Sequence, residues 1–279
     1  MQPLRVPELL ADTALDLVRM RRGPLPGALK SRAIRTRAAL GWQMVKQPTG
    51  ERTCRILDYE VFSYSVSTLV FLFRETFVDL DYYFEARSDA PTILDCGSNI
   101  GMSILFFKAL YPKATIIGFE PASGTFAALE KNVHGNRLQD VTLHRAAVGG
   151  EDGQVAFFET PTSGGLTAST DSGRGAVGRT VVDQVRLSRF VDRHIDLLKL
   201  DVEGAEFAVL SDLIASNRLA MIDQMIIEYH HHIREAEDNL SMFLSMLEAN
   251  GYGYQVRAFH ASRGTRARFQ DIWIHAYRK

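Results

Sequence analysis

Two rhythms of apolar residues run along this chain, and one gives way to the other near residue 90. In residues 5–22, Leu9, Leu10, Leu15, Leu17, Val18 and Met20 are biased to one side of a helix. The breaker "RRGPLPG" ends that segment, and a second helix is predicted over about 28–40. "CRILDYEVFSYSV" then alternates as a strand pair would, and "STLVFLFRETFVDLDYYFEAR" follows with a helical pattern. Residues 1–88 therefore read as a mostly helical N-terminal extension that caps the rest of the chain.

From Pro91 the pattern becomes strand–helix alternation. "TILDC" precedes "NIGMSILFFKALY", and "TIIGFE" precedes "ASGTFAALEKNVHGN". "VTLHRAAV" and "GQVAFFET" read as strands around a Gly-Glu-Asp-Gly turn. "IDLLKLDV" precedes "EGAEFAVLSDLIASN", and "DQMIIEYH" precedes "NLSMFLSMLEANG". This is the pattern of an α/β domain with a parallel sheet and helices on both faces, here spanning 89–279. The end departs from it. "YGYQVRAFH" and "FQDIWIHAYR" are separated only by "ASRGTRAR", too short for a crossover, so the last strand should run reversed. Residues 160–178, "TPTSGGLTASTDSGRGAVG", cannot pack a core and read as a long loop that either closes over a ligand or merely connects.

Chemistry concentrates in "PTILDCGSNIGMSILFFKALYPKATIIGFEP". Ligands of open parallel sheets sit at the carboxyl ends of the strands. The first strand meets that edge at Asp95. Gly97 supplies a conformation barred to other residues, Asn99 is placed to cap the next helix, and Gly101 keeps that helix close to the sheet. Glu120 closes the second strand, where an acid accepts hydrogen bonds from two ribose hydroxyls. A dinucleotide site needs the same acid, so the glycines decide. Counted from Gly97, the second and third positions of G-x-G-x-x-G hold Asn99 and Met102, and the bulky methionine argues against a pyrophosphate. Asp95 would repel phosphate but could anchor an ammonium. A ligand with an amine, a carboxylate and a ribose meets every element, and S-adenosylmethionine is that ligand.

"ILDCGSNIG" resembles the D-x-G-x-N-x-G motif of class I methyltransferases, and with "LLKLDVEGAE" and "MIIEYHHH" the chain is similar to the FkbM family of S-adenosylmethionine-dependent methyltransferases. The resemblance covers residues 91–235 most closely. It implies a Rossmann-like seven-stranded sheet whose last strand is antiparallel, in agreement with the hairpin above. It also implies cofactor contacts from Asp95, Gly97, Ser98, Asn99, Gly101, Glu120, Pro121 and Asp201, with adenine near Ala146 and Ala147. Family members mostly methylate hydroxyls of sugars, glycans or natural products. Where the family often has an L-D-D-like sequence before the fourth strand, this chain has "LSRFVDRHID".

Methyl transfer requires an acceptor oxygen held in line and relieved of its proton. Asp201 ends one strand and Glu228 and His230 end the next, so all three should line one edge of the pocket. His230 is the expected general base, because an imidazole titrates near neutral pH, with Asp201 either orienting it or binding the acceptor hydroxyl itself. The rival arrangement uses Asp201 and Glu228 as ligands of a magnesium ion that acidifies the acceptor hydroxyl; magnesium is possible but not favoured, since two carboxylates do not make a metal site. Glu203 and Glu206 are expected in the first turn of the following helix, Glu206 there for the dipole. Tyr82 and Tyr83 are expected in core packing more than over a sulfonium.

Composition changes this picture in one respect. Net charge is −1, so no drive toward nucleic acid is visible, yet residues 1–50 carry nine Lys/Arg and three acids while the other 229 carry 23 and 30. That basic segment reads as a solvated or partner-facing surface, with peripheral contact to an anionic membrane or an acidic acceptor as the sharper alternative. A homodimer through the apolar N-terminal helices is a further expectation. Two cysteines, no apparent signal peptide and no run of about 18 apolar residues make the cytoplasm the expected location. The alternatives to a methyltransferase are an NAD(P)-dependent oxidoreductase and a non-catalytic cofactor-binding protein.

Overall fold

The computed structural model describes residues 6–46, 49–159, 178–231, 239–258 and 270–279. Helices α1 (Val6–Arg22) and α2 (Gly27–Lys46) lead to the hairpin β1 (Thr49–Ile56) and β2 (Tyr59–Ser65), then α3 (Val66–Phe73). Ser65 caps α3, its Oγ accepting from Thr68 N–H at 3.0 Å. The long helix read from "STLVFLFRETFVDLDYYFEAR" is shorter than expected. It widens into a π-helical turn over Arg74–Val78, where Thr76 Oγ1 donates to Leu72 O at 2.6 Å, and ends there. That turn aims Glu75 at the functional edge of the sheet.

Beyond it run β3 (Thr92–Cys96), α4 (Met102–Leu110), β4 (Thr115–Phe119), α5 (Ser123–Gly135), β5 (Val141–His144), β6 (Ala147–Gly149), β7 (Gly153–Glu159), β8 (Gly178–Arg186), β9 (Ile195–Leu200), α6 (Glu206–Ala215), β10 (Ile222–His231), α7 (Leu240–Ala249), β11 (Tyr252–Ala258) and β12 (Gln270–Arg278). The main sheet has seven strands in the order β5-β4-β3-β9-β10-β12-β11, and β12 is antiparallel to both its neighbours. This is the class I methyltransferase topology. "VTLHRAAV" is not one strand: it breaks at Arg145 and Ala146, and β6 leaves for a small sheet ordered β6-β8-β7. Residues 160–177 and "ASRGTRAR" lie outside the described residues.

Alternation along the strands splits the core into two layers. Ile93, Ile116, Leu197, Ile226 and Trp273 face one cluster, and Leu94, Phe119, Leu198, Met225 and Ile274 face the other. The first cluster also contains Leu25, Leu29, Leu40, Leu69, Phe73 and Phe77. The N-terminal extension is thus one layer of the core. Phe77 joins it to α4, stacking on Phe73 at 4.8 Å and meeting Phe106 edge-on at 5.1 Å.

The basic segment is not wholly a solvated face. Arg37 is buried, with Nε and Nη2 each 2.7 Å from Oδ2 of the fully buried Asp16, and Arg74 Nε lies 3.4 Å from the same oxygen. Loss of one partner from such a buried pair costs about 3–5 kcal/mol, so this arginine is committed to the fold.

Candidate functional site

The topology reverses between β3 and β9, and the glycine turn sits in that crevice. Gly97 has φ +84°, and its N–H and that of Ser98 both donate to Phe119 O, at 3.0 and 2.8 Å. A Cβ on Gly97 would stand 2.0 Å from the Asp201 carbonyl oxygen, so only glycine fits between the two strand ends. Asn99 does not cap α4. It lies at φ +50° with Oδ1 accepting from Ile100 N–H at 2.7 Å, and the turn runs on so that Gly101, at φ +93°, takes the cap position. Gly101 does keep the helix close, since a Cβ there would come within 2.8 Å of Leu129 Cδ1.

Asp95 lies beneath the turn. It is fully buried, Oδ2 accepts from Ser103 Oγ at 2.6 Å, and Lys199 Nζ is 3.5 Å from Oδ1. The ammonium nearest to it is therefore the protein's own. Ser98 is likewise buried, its Oγ donating to Asp95 O at 2.9 Å.

Two clefts open from the turn. The first, about 530 Å³, is lined by Gly97, Asn99, Glu120, Pro121, Ala146, Ala147, Asp201 and Glu203, with Phe119, Val148, Phe157 and Val202. Glu120 Oε2 accepts from Asn99 N–H and Oε1 from Ala122 N–H, each at 3.0 Å. Burial pushes its carboxyl up to about 7, against the pull of those two N–H groups. The backbone bonds fix the carboxylate and leave each oxygen a further lone pair for a ribose hydroxyl. Glu120→Gln is expected to weaken S-adenosylhomocysteine about 10–100-fold, because hydrogen bonds to a charged acceptor contribute about 1.5–3 kcal/mol. Wild-type affinity should also fall between pH 8 and 6 as the acid takes up its proton. Calorimetric titration reads both, and affinity unchanged by the substitution would remove Glu120 from the site.

The second cleft, about 660 Å³, shares Gly97, Asn99, Asp201 and Glu203 with the first and adds Glu75, Tyr82, Met102, Lys199, Glu228 and Asp271. Its acids come from four places in the chain. The antiparallel register sets Asp271 of β12 opposite His230 of β10, two residues beyond Glu228. Burial, then Asp201, push Glu228 well above the usual carboxylate range; burial and Asp201 do the same to Glu75.

His230 does not line this cleft; its side chain is buried behind the cleft's acids. Nδ1 is 2.7 Å from Glu206 Oε1, and Nε2 is 3.2 Å from Glu203 Oε2, 3.8 Å from Asp201 Oδ1 and 3.9 Å from Asp271 Oδ1. Burial disfavours its charge, but Glu206, Glu228 and Asp201 outweigh that and bring it up to about 9. Glu206 thus does more than serve the helix dipole: it accepts from Gly204 N–H at 3.0 Å and holds the imidazole. Glu203 lies before the helix, at φ +57°, in the loop that faces the cleft. Asp201, Glu203 and His230 bring candidate ligand atoms within 4.8 Å of one another, as do Glu228, His230 and Asp271, and either set has the donors a divalent cation takes.

Tyr82 is buried against Trp273 and lines this cleft, while Tyr83 packs on the core. The sequence reading missed Glu75, Lys199 and Asp271. The signal for Lys199 was its place in the apolar strand "IDLLKLDV"; Asp271 gave none, because it meets the site only through strand reversal.

Comparison with known proteins gives a consistent result. The profile described as "Methyltransferase FkbM domain" matches residues 95–256. "Methyltransferase 1" of Beauveria bassiana is 28% identical over 223 residues, covering 71% of this chain and 88% of that protein. "31-O-demethyl-FK506 methyltransferase FkbM" of Streptomyces tacrolimicus is 28% identical over 220 residues, covering 65% and 81%. Among solved structures, methyltransferase FkbM from Methylobacillus flagellatus KT superposes with a TM-score of 0.46 at 16% identity, over 88% of this chain and 60% of its own length.

Proposed function

The chain belongs to the FkbM family of S-adenosylmethionine-dependent methyltransferases, and we propose that it methylates a hydroxyl of a neutral sugar, glycan or natural-product acceptor. The observation that carries this reading is the junction of the two clefts. Gly97, Asn99, Asp201 and Glu203 line both, so a nucleoside held in the first would present its other end to the second, where Glu203 and Asp201 stand 3.2 and 3.8 Å from His230 Nε2.

The cofactor supplies an activated methyl group. The chain's residues bind, orient and deprotonate. Glu120 receives the ribose hydroxyls, Pro121, Ala146 and Ala147 wall the cleft around the base, and the Gly97 backbone meets the amino-acid end. The acceptor hydroxyl enters among Asp201, Glu203, Glu228 and Asp271. With the methyl group that the bound cofactor would supply passing to its oxygen and the thioether leaving, its proton would pass to His230 Nε2. Oxygen as the acceptor atom is supported by the relative named for an O-demethyl compound. A neutral acceptor is supported by the acidic second cleft, which would repel the acidic acceptor suggested by the basic N-terminal segment.

The test is incubation of purified protein with methyl-labelled S-adenosylmethionine and a panel of neutral and anionic glycosides, read by mass spectrometry. A methyl-mass increment on a neutral hydroxyl, removed in His230→Gln, is the expected result. Binding of NADH without S-adenosylhomocysteine would overturn the reading in favour of a dehydrogenase. Met102 opposes that outcome, being buried at the third glycine position of a dinucleotide turn. Among the described residues, no helix is long and apolar enough to cross a membrane.

A further inference from the structure

We propose that Lys199 is a positioning residue for methyl transfer, an ammonium built into the sheet that ties the cofactor turn to the acid at the mouth of the acceptor cleft. The inference rests on the first cleft being the S-adenosylmethionine site. Lys199 belongs to β9, whose Ile195, Leu197, Leu198 and Leu200 are all buried. A lysine there must lose its water, and it does so only where charges and carbonyls replace the water.

The replacements are specific. Parallel register sets Lys199 beside Asp95 of β3, and strand alternation puts it on the same side as Asp201. Its Nζ donates to Gly97 O at 2.5 Å and to Asp201 Oδ2 at 3.3 Å, with Asp95 Oδ1 at 3.5 Å. The Tyr82 ring covers it at 5.1 Å from the centroid. Its hydrogen bonds go to Gly97 O, Asp201 Oδ2 and, at 3.4 Å, Cys96 O, with Asp95 facing it through charge alone, so the three N–H bonds are taken up by the protein and the ammonium acts through these groups and not as a ligand for substrate. Burial opposes its charge, but Asp201, Asp95 and Glu228 outweigh that and hold the ammonium above the ordinary lysine range.

An apolar side chain would leave the Gly97 carbonyl without this donor, and any neutral one would set Asp95 against Asp201 with no cation between them. The peptide after Gly97 lines both clefts, so its rotation would disturb the cofactor's seat and the approach to Asp201 together.

The experiment uses the full chain with Lys199→Met, Lys199→Gln and Lys199→Arg, each measured for S-adenosylhomocysteine affinity by calorimetry and for thermal stability without ligand. In Met and Gln, affinity should fall about tenfold or more, and Arg, which keeps the charge, should stay within about threefold of wild type. Folded Met or Gln variants that bind within about threefold of wild type overturn the proposal. An Arg variant as weak as Met overturns it too, since the charge is then not the point. A chain that folds with Arg but with neither Met nor Gln assigns the lysine to stability and likewise overturns it. Failure of wild type to bind S-adenosylhomocysteine would instead strike the cofactor reading itself, which keeps the two failures distinct.

Discussion

Gly97→Ala is expected to reduce affinity for S-adenosylhomocysteine about 100-fold and to lower the melting temperature, the larger of two glycine effects in the same turn. Alanine at φ +84° carries the left-handed penalty of about 1–2 kcal/mol. Its methyl would also meet the Asp201 carbonyl oxygen at 2.0 Å. Neither side can yield cheaply. Asp201 N–H donates to Cys96 O at 3.1 Å, Cys96 pairs with Leu200, and Gly97 N–H is tied to Phe119 O. Relief therefore means parting β3 from β9 at the crevice where the ligand sits, at an overpacking cost of about 1–3 kcal/mol more. Gly101→Ala is the control. Its φ is also positive, but the obstructing atom is Leu129 Cδ1 at 2.8 Å, the end of a side chain that can rotate. It should lose about tenfold or less. Equal affinities for Gly97→Ala and wild type would mean that the ligand does not use this turn.

The contrast also marks what could be read from the residues alone. "ILDCGSNIG" and "FEP" announced a strand end, a turn and an acid because those features are local, set by a few consecutive residues and by the alternation around them. The reversed last strand was legible for the same reason, from a connection too short to cross the sheet. The cap position was not. Asn99 looked like a helix cap by composition, but the left-handed turn runs two residues further before the helix starts. Asp95 looked like a ligand group from its place before the glycine. Only the register, which sets Lys199 beside it, reveals that its charge is already answered within the sheet. Glu75 lay within a segment read as one continuous helix, and the π-helical turn that points it at the cleft has no sequence signal. Groups that meet through register or an irregular helix cannot be recovered from spacing.

His230 illustrates the same point with a mechanistic consequence. Among the described residues its acidic neighbours come from several elements: Glu206 on α6, Asp201 and Glu203 on the preceding loop, Glu228 on its own strand and Asp271 on β12. Burial opposes its charge, but Glu206, Glu228 and Asp201 outweigh that and raise its pKa to about 9, so the resting imidazole carries a proton at neutral pH. A base must be deprotonated, and kcat/KM should therefore climb with pH and level off near 9. Glu206→Gln removes the largest favourable charge. The imidazole should then titrate lower, moving the rise toward the ordinary histidine range, while the plateau falls because a weaker base accepts the proton. His230→Gln should lower the plateau about 10²–10⁴-fold at unchanged S-adenosylhomocysteine affinity. The sign for stability is separate. A folded pKa above the unfolded value means the pair supports the fold fully below about pH 6.5 and loses that support as pH rises through about 9. Activity and stability should thus run in opposite directions over this window, which a pH–rate profile and a pH series of melting curves can separate. A rate independent of pH between 6 and 9, or a Glu206→Gln profile that rises at the wild-type pH, would take the proton away from His230 and leave Glu228, whose own carboxyl is raised by burial, as the group that receives it.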